Sequence, residues 1–345
     1  EKIPYPDIPI TDPELVPYIA QLDRLSFHAH LESIVGEPLH EQIETAIEQY
    51  CWSSLGASSK EVSAAAGVNF YAAEFGGIAV LPGGNSRIAE RVFERLAQSL
   101  PVQNLRSGSL VFDVSVGKDG VRVAYLEGSG AIRSILAKCV VMACPKFVAA
   151  KLINGLEPER LESIKQLTYR SYLVANVCIE GGYDDPFYDL YMLGKGTIEK
   201  GDTRTAANAR GVTDVIIGNY AKADSNNTVL TLYRGLPYDG ARAELYLPGS
   251  YKTYRAQFEE QITKEILPLL KIEKGRVKDI RLARWGHPLV VPKPGLISSK
   301  NIANIRKPFK DRVFFVEQDN WALPAFETSV TEALLWAPKI AARLA

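Results

Sequence analysis

Residues 76 to 145 constrain this chain most, because the spacing of apolar side chains changes along them from helical to strand-like. The stretch opens Gly76-Gly77-Ile78-Ala79-Val80-Leu81-Pro82-Gly83-Gly84-Asn85. Between residues 88 and 100, Ile88, Ala89, Val92, Phe93, Leu96, Ala97 and Leu100 recur at three- and four-residue intervals. That is one face of an α-helix, with Asn85 or Ser86 placed to cap it. After Pro101, Leu110, Phe112, Val114 and Val116 alternate with Val111, Asp113 and Ser115, which is a strand period. Lys118-Asp119-Gly120 supplies a hairpin turn, residues 121 to 126 return, and Gly128-Ser129-Gly130 turns again into residues 132 to 141. Residues 137 to 143 are nearly all apolar, without alternation, and end in Ala143-Cys144-Pro145. A strand covered on both faces reads this way.

The order of these elements, a glycine-rich opening, a helix, a three-stranded meander and a buried strand ending in Ala-Cys-Pro, resembles the middle of the flavin-containing amine oxidase superfamily. The resemblance implies an α/β fold, α+β in its substrate domain. It is a two-domain FAD-linked architecture whose N-terminal Rossmann half is expected upstream of this sequence. A second match lies near the C-terminus. Arg284-Trp285-Gly286-His287-Pro288 and Val291-Pro292-Lys293-Pro294-Gly295 look like the family's Trp…Pro…Pro-Gly segment, which implies that Trp285 lies beside the flavin. Val313-Phe314-Phe315-Val316 then runs into Glu317-Gln318-Asp319-Asn320-Trp321 and a helix opening at Ala325 or Phe326. By resemblance Val111 touches the adenine side of the nucleotide and Asp319 the ribityl and phosphate groups. Ala325 and Phe326 begin the helix whose free amides point at the cofactor. Two departures stand out: Glu317 occupies the position of a small glycine, and Thr328-Ser329 replaces Gly-Ala.

The rest of the chain is assigned around this frame. Five prolines in residues 1 to 17 make an extended arm. Helices follow, one spanning Leu22 to Ile34, one near residues 39 to 51, and one from a capping box at Ser58-Ser59-Lys60-Glu61 to about residue 71. The expected domains are residues 1–75, a helical part of the substrate domain; 76–145, the FAD-domain segment; 146–276, the substrate domain, a mixed sheet with helices; and 277–345, a return to the FAD domain. Residues 194 to 211 read as a polar loop. His28 and His30, two apart on a helix, face differently and suit no shared metal.

Chemistry is sparse at this level. The family often places a lysine on a substrate-domain strand, and residues 169 to 177 hold none; Arg170 and Tyr172 are the polar candidates. Tyr172 and Trp321 are the aromatic pair expected to line the substrate cavity. No catalytic residue is assigned. No Gly-x-Gly-x-x-Gly follows a strand and opens a helix, and no Gly-x-Ser-x-Gly elbow exists. Lys and Arg total 40 and Asp and Glu total 40, so no net field points to nucleic acid. No run of about 18 apolar residues spans a membrane, and the four cysteines lack a CxxC pair. The expectation is an FAD-dependent oxidoreductase whose flavin takes a hydride from a small, amine-like substrate. FAD binding is expected to need the missing N-terminal segment, and a homodimer stays open. The alternatives are a desaturase, isomerase or protoporphyrinogen-oxidase-like flavoenzyme, and a non-catalytic relative serving as a binding module.

Overall fold

The computed structural model describes residues 4–77, 79–183, 187–193, 202–218 and 226–345. Within them run the strands β1 (Ser109–Val116), β2 (Val121–Glu127), β3 (Ile132–Ala137), β4 (Val140–Met142), β5 (Tyr169–Glu180), β6 (Asp189–Tyr191), β7 (Asp214–Ile217), β8 (Asn227–Leu236), β9 (Val277–Val290) and β10 (Val313–Phe315). The chain divides into two compact units. The first comprises Glu1–Asp23, Ala89–Thr168 and Gly295–Ala345; the second comprises Arg24–Ile88 and Tyr169–Pro294.

In the first unit β1, β2 and β3 form the expected antiparallel meander, and β4 pairs in parallel with β10. The turn at Gly120 needs glycine: its φ is +155°, and a Cβ would stand 2.5 Å from the Ala137 carbonyl oxygen. The alternation in β1 does not hold throughout. A bulge between Val111 and Asp113 moves the apolar face, so Leu110 and Phe112 are exposed while Val111, Val114 and Val116 pack inward. Nor is 137 to 143 one strand covered on both faces. The meander ends at Ala137, and β4, paired only with β10 among the described residues, buries Met142 and exposes Val141. The core of this unit gathers Val114, Val121, Met142, Ala149, Ile153, Phe309, Val313 and Phe315.

The second unit is built on a five-stranded sheet of order β6-β7-β8-β5-β9, antiparallel at every pairing rather than mixed. Residues 277 to 284 are the strand expected there, but the irregular crossing expected from Arg284 onward does not begin at once: Val277–Val290 is one continuous edge strand of this sheet. Pro288 lacks a donor, which an edge strand tolerates, and the register shifts opposite it, between Arg170 and Tyr172. The return to the first unit therefore comes at Gly295, and residues 146 to 168 belong to that unit as well.

Alternation gives the sheet two unlike faces. Leu173, Ala175, Val177, Val215, Ile217, Leu230 and Leu232 form one, buried against Tyr254 and Phe258 of the helix Ser250–Gln261 and Ile262 and Ile266 of the helical segment that continues it. The other carries Tyr172, Asp214, Tyr233 and Trp285, in register across the strands.

The helices also differ in detail from the periodic reading. The pattern from Leu22 to Ile34 is two helices, Val16–Asp23 and Phe27–Val35, because Ser26 leaves helical geometry to cap the second. The Ser58–Glu61 box forms a turn; the next helix, Ala64–Ala73, starts later, capped by Ser63. Residues 194 to 201 of the expected polar loop lie outside the described residues, and residues 203 to 210 are helical.

Candidate functional site

The helix Glu41–Leu55 sits close to the second unit's sheet. The backbone oxygen of Trp52 would be 2.4 Å from a Cβ at Gly235, so glycine is what allows the approach. That approach delivers Ser53 to the sheet. Its hydroxyl donates to Asp214 Oδ2 and lies 3.2 Å from the Tyr172 hydroxyl. A serine has one proton to give, so Tyr172 is the donor in the second contact. Tyr172 in turn meets the Tyr233 ring edge-on at 5.7 Å.

Asp214 is 4% exposed, and its Oδ1 is without a hydrogen-bond partner among the described residues. Burial pushes its carboxyl up to about 7; the Ser53 bond opposes this, and Asp189 and Glu74 add to it. Asp189, on β6 and on the same face, is pushed up to about 6, again mainly by burial, and its Oδ1 also has no partner among the described residues. No lysine or arginine pairs with Glu74, Asp189 or Asp214 among the described residues. The nearby Arg210 instead donates to Gln49 Oε1 at 2.9 Å and lies over the Trp52 ring.

Aromatic rings surround these acids. Tyr50 donates to Glu74 at 3.2 Å and packs edge-on against Tyr71 at 5.2 Å, which meets Phe75 at 5.6 Å. Phe75 is 79% exposed, so the ladder of rings ends at solvent. Burial and the neighbouring carboxylates raise the Tyr191 and Tyr233 hydroxyls, holding them as neutral donors. Carboxylates without a cationic partner among the described residues, with aromatic rings beside them, are an arrangement that can receive an organic cation.

The first unit holds a second polar cluster. At the end of β10, Glu317 is ion-paired to the fully buried Lys146, which also donates to Asn320 Oδ1. Asn320 bonds the Phe315 carbonyl at 2.8 Å and Glu332; Glu332 also receives Trp321 Nε1 at 2.6 Å and Trp336 Nε1 at 3.2 Å. Asp319, fully buried, accepts the Lys146 backbone amide at 2.8 Å.

The expected site residues thus divide. Tyr172 and Trp285 share one face of the second unit's sheet, as cross-strand neighbours, with Trp285 55% exposed. Val111, Asp319, Trp321, Ala325 and Phe326 belong to the first unit. Sequence reasoning missed Ser53, Glu74, Asp189 and Asp214. The faint signal available was an acid at the head of each of two tyrosine-bearing or β-branched runs, Asp189-Leu190-Tyr191 and Asp214-Val215-Ile216.

An antiparallel five-stranded sheet in one unit, and in the other a parallel strand pair that leads into a long helix, match the FAD-linked amine oxidase fold. Solved structures agree. Wild-type putrescine oxidase bound to putrescine matches 96% of this chain and 70% of its own at 14% identity, with a TM-score of 0.62. Cyclohexylamine oxidase from Brevibacterium oxydans IH-35A matches 98% and 71% at 15% identity and 0.60. At these identities the likeness concerns the fold. The family model for flavin containing amine oxidoreductases matches residues 2–239, and the chain belongs to that family. Oxidoreductase PigB of Serratia sp. (strain ATCC 39006) is 23% identical over 287 residues, 82% of this chain; the chain spans 41% of that protein's length.

A flavin at the end of β10 asks for close backbone approach and free amides. The terminal helix (Phe326–Leu344) fits: no side chain caps it at Ala325, and Phe326 is 60% exposed. Asp319 does not fit, since its carboxylate is inside the protein on the Lys146 amide, and neither does the bulk of Glu317, which fills the turn with an ion pair.

Proposed function

We propose that this chain is the substrate-binding part of an FAD-dependent oxidoreductase of the amine-oxidase type, acting on a small amine held on the acid–tyrosine face of the second unit. The observation that carries this reading is Asp214: buried, with one oxygen unpartnered, and linked through Ser53 to Tyr172. When bound, the flavin supplies the hydride acceptor. Ala325 and Phe326 would hold it by main-chain amides, with Val111 as an apolar contact from the same unit. A nucleotide-binding segment with its own glycine-rich turn belongs to this proposal, because the sequence contains none between a strand and a helix. Dimer formation enters only as an assembly compatible with it.

The chain's own residues bind and handle protons. Glu74 and Asp189 attract the ammonium group, the tyrosine rings exclude water around it, and Asp214 accepts its proton, since a carboxyl near 7 exchanges protons readily at neutral pH. The neutral amine is the form that can give up a hydride. The test is calorimetric titration of the whole protein with butylamine and with the neutral butanol. The amine is expected to bind preferentially, and Asp214→Asn to weaken it about ten- to a hundredfold. Equal affinity for the two ligands would sink the reading.

A second reading has one observation in its favour. The Lys146–Glu317 pair occupies the turn where a cofactor would need room, as expected of a binding module that keeps the scaffold without flavin. Absorbance of the purified whole protein separates the two: about one equivalent of flavin supports the oxidoreductase, and a colourless protein that still binds butylamine supports the module.

A further inference from the structure

The apolar face of the second unit's sheet contains one residue that does not belong in a core. Arg234, on β8 between the buried Leu232 and Leu236, is 4% exposed. Its two terminal nitrogens donate to neutral acceptors, Gln257 Oε1 at 2.7 Å and Asn208 Oδ1 at 3.2 Å, and it lies over the Tyr254 ring. Its Nε is buried without a partner, and no carboxylate pairs with it among the described residues. An arginine keeps its charge at any physiological pH, and an unpaired buried charge is costly.

Beside it opens a cavity of about 450 Å³, lined also by Arg204, Thr253 and Ser250. The carboxylate in the lining, Glu244, is already engaged by Arg204 and by the Tyr238 hydroxyl, and so does not serve Arg234. Burial lowers the Arg234 pKa from its ordinary value, the response of a cation lacking a counter-charge.

We infer that this cavity is a binding site for a small oxyanion, a carboxylate or phosphate group, with Arg234 as its buried anchor and Arg204 and Thr253 at its mouth. The planar guanidinium offers the fork of donors that either group accepts. The site lies on the side of the sheet opposite the acid–tyrosine face, so it is separate from the amine site and does not depend on it.

Melting curves of the whole protein test this, run in inorganic phosphate or succinate against chloride at matched ionic strength, with calorimetric titration of each anion. At least one anion is expected to raise the melting temperature saturably at millimolar concentration, and a response to phosphate alone or to succinate alone identifies the group. Arg234→Gln should abolish the effect. Arg204→Gln, at a half-exposed side chain where folding is not at stake, should weaken binding about tenfold, while the exposed control Arg281→Gln should leave it unchanged. No response to either anion, or the same affinity in Arg204→Gln as in wild type, overturns the inference.

Discussion

A carboxyl group's proton affinity reports its surroundings, and Asp214 gives the sharpest prediction at the residue scale. Its folded value of about 7 lies above the ordinary carboxylate range, so the folded state holds a proton that the unfolded chain releases near pH 4. The native state is therefore favoured at low pH and loses stability as pH rises from about 4 to 7. Asp214→Asn should remove that slope, raising the melting temperature more at pH 8 than at pH 5; an identical gain at both would show that the group titrates normally. Asp319 makes the opposite case. Fully buried on the Lys146 amide, it acts as a structural acceptor, and Asp319→Ala should cost about 1–3 kcal/mol of stability while FAD affinity changes less than severalfold. Melting curves beside a flavin titration check both halves. The position of Asp319 at the strand end was legible from sequence, but what its carboxylate touches was not, because Lys146 stands far away in the chain.

At the scale of elements, the meander, its turns and the terminal helix could be read because their signals are local: alternation, glycine at positive φ, period 3.6. The fate of residues 285 to 290 could not. Trp-Gly-His-Pro reads as a breaker, yet an edge strand absorbs it with a bulge, and edge position is a property of the whole sheet. Val111 was placed inward by a bulge that no local pattern announces. The four missed site residues share this origin: Ser53, Glu74, Asp189 and Asp214 acquire meaning only when a helix, a helical turn and two strands distant in sequence come together. The helix–sheet contact at Gly235 is correspondingly sensitive. Gly235→Ala would set a methyl against the Trp52 carbonyl, and the expected loss is about 1–3 kcal/mol together with weaker butylamine binding, as Ser53 is pushed from Asp214. Denaturant unfolding and calorimetry of that variant measure the two effects.

For the whole molecule, the balanced charge noted in the sequence conceals a local separation. Amine affinity should rise with pH through the range of about 6 to 7, as Asp189 and Asp214 ionise, and level off above it while the ligand stays protonated. A titration series of butylamine across pH 5 to 8 checks this, and a flat profile would remove both carboxylates from recognition. The separation itself rests on one peptide bond. Tyr233 and Arg234 are adjacent on β8, one turned toward the acids and the other toward the cavity on the opposite side of the sheet. Slide that strand by a single residue and the arginine would neutralise Asp214, while a phenol took its place in the helical layer. Gly235, where the helix backbone comes too near for a side chain, works as an index mark that keeps the two polarities on their own sides.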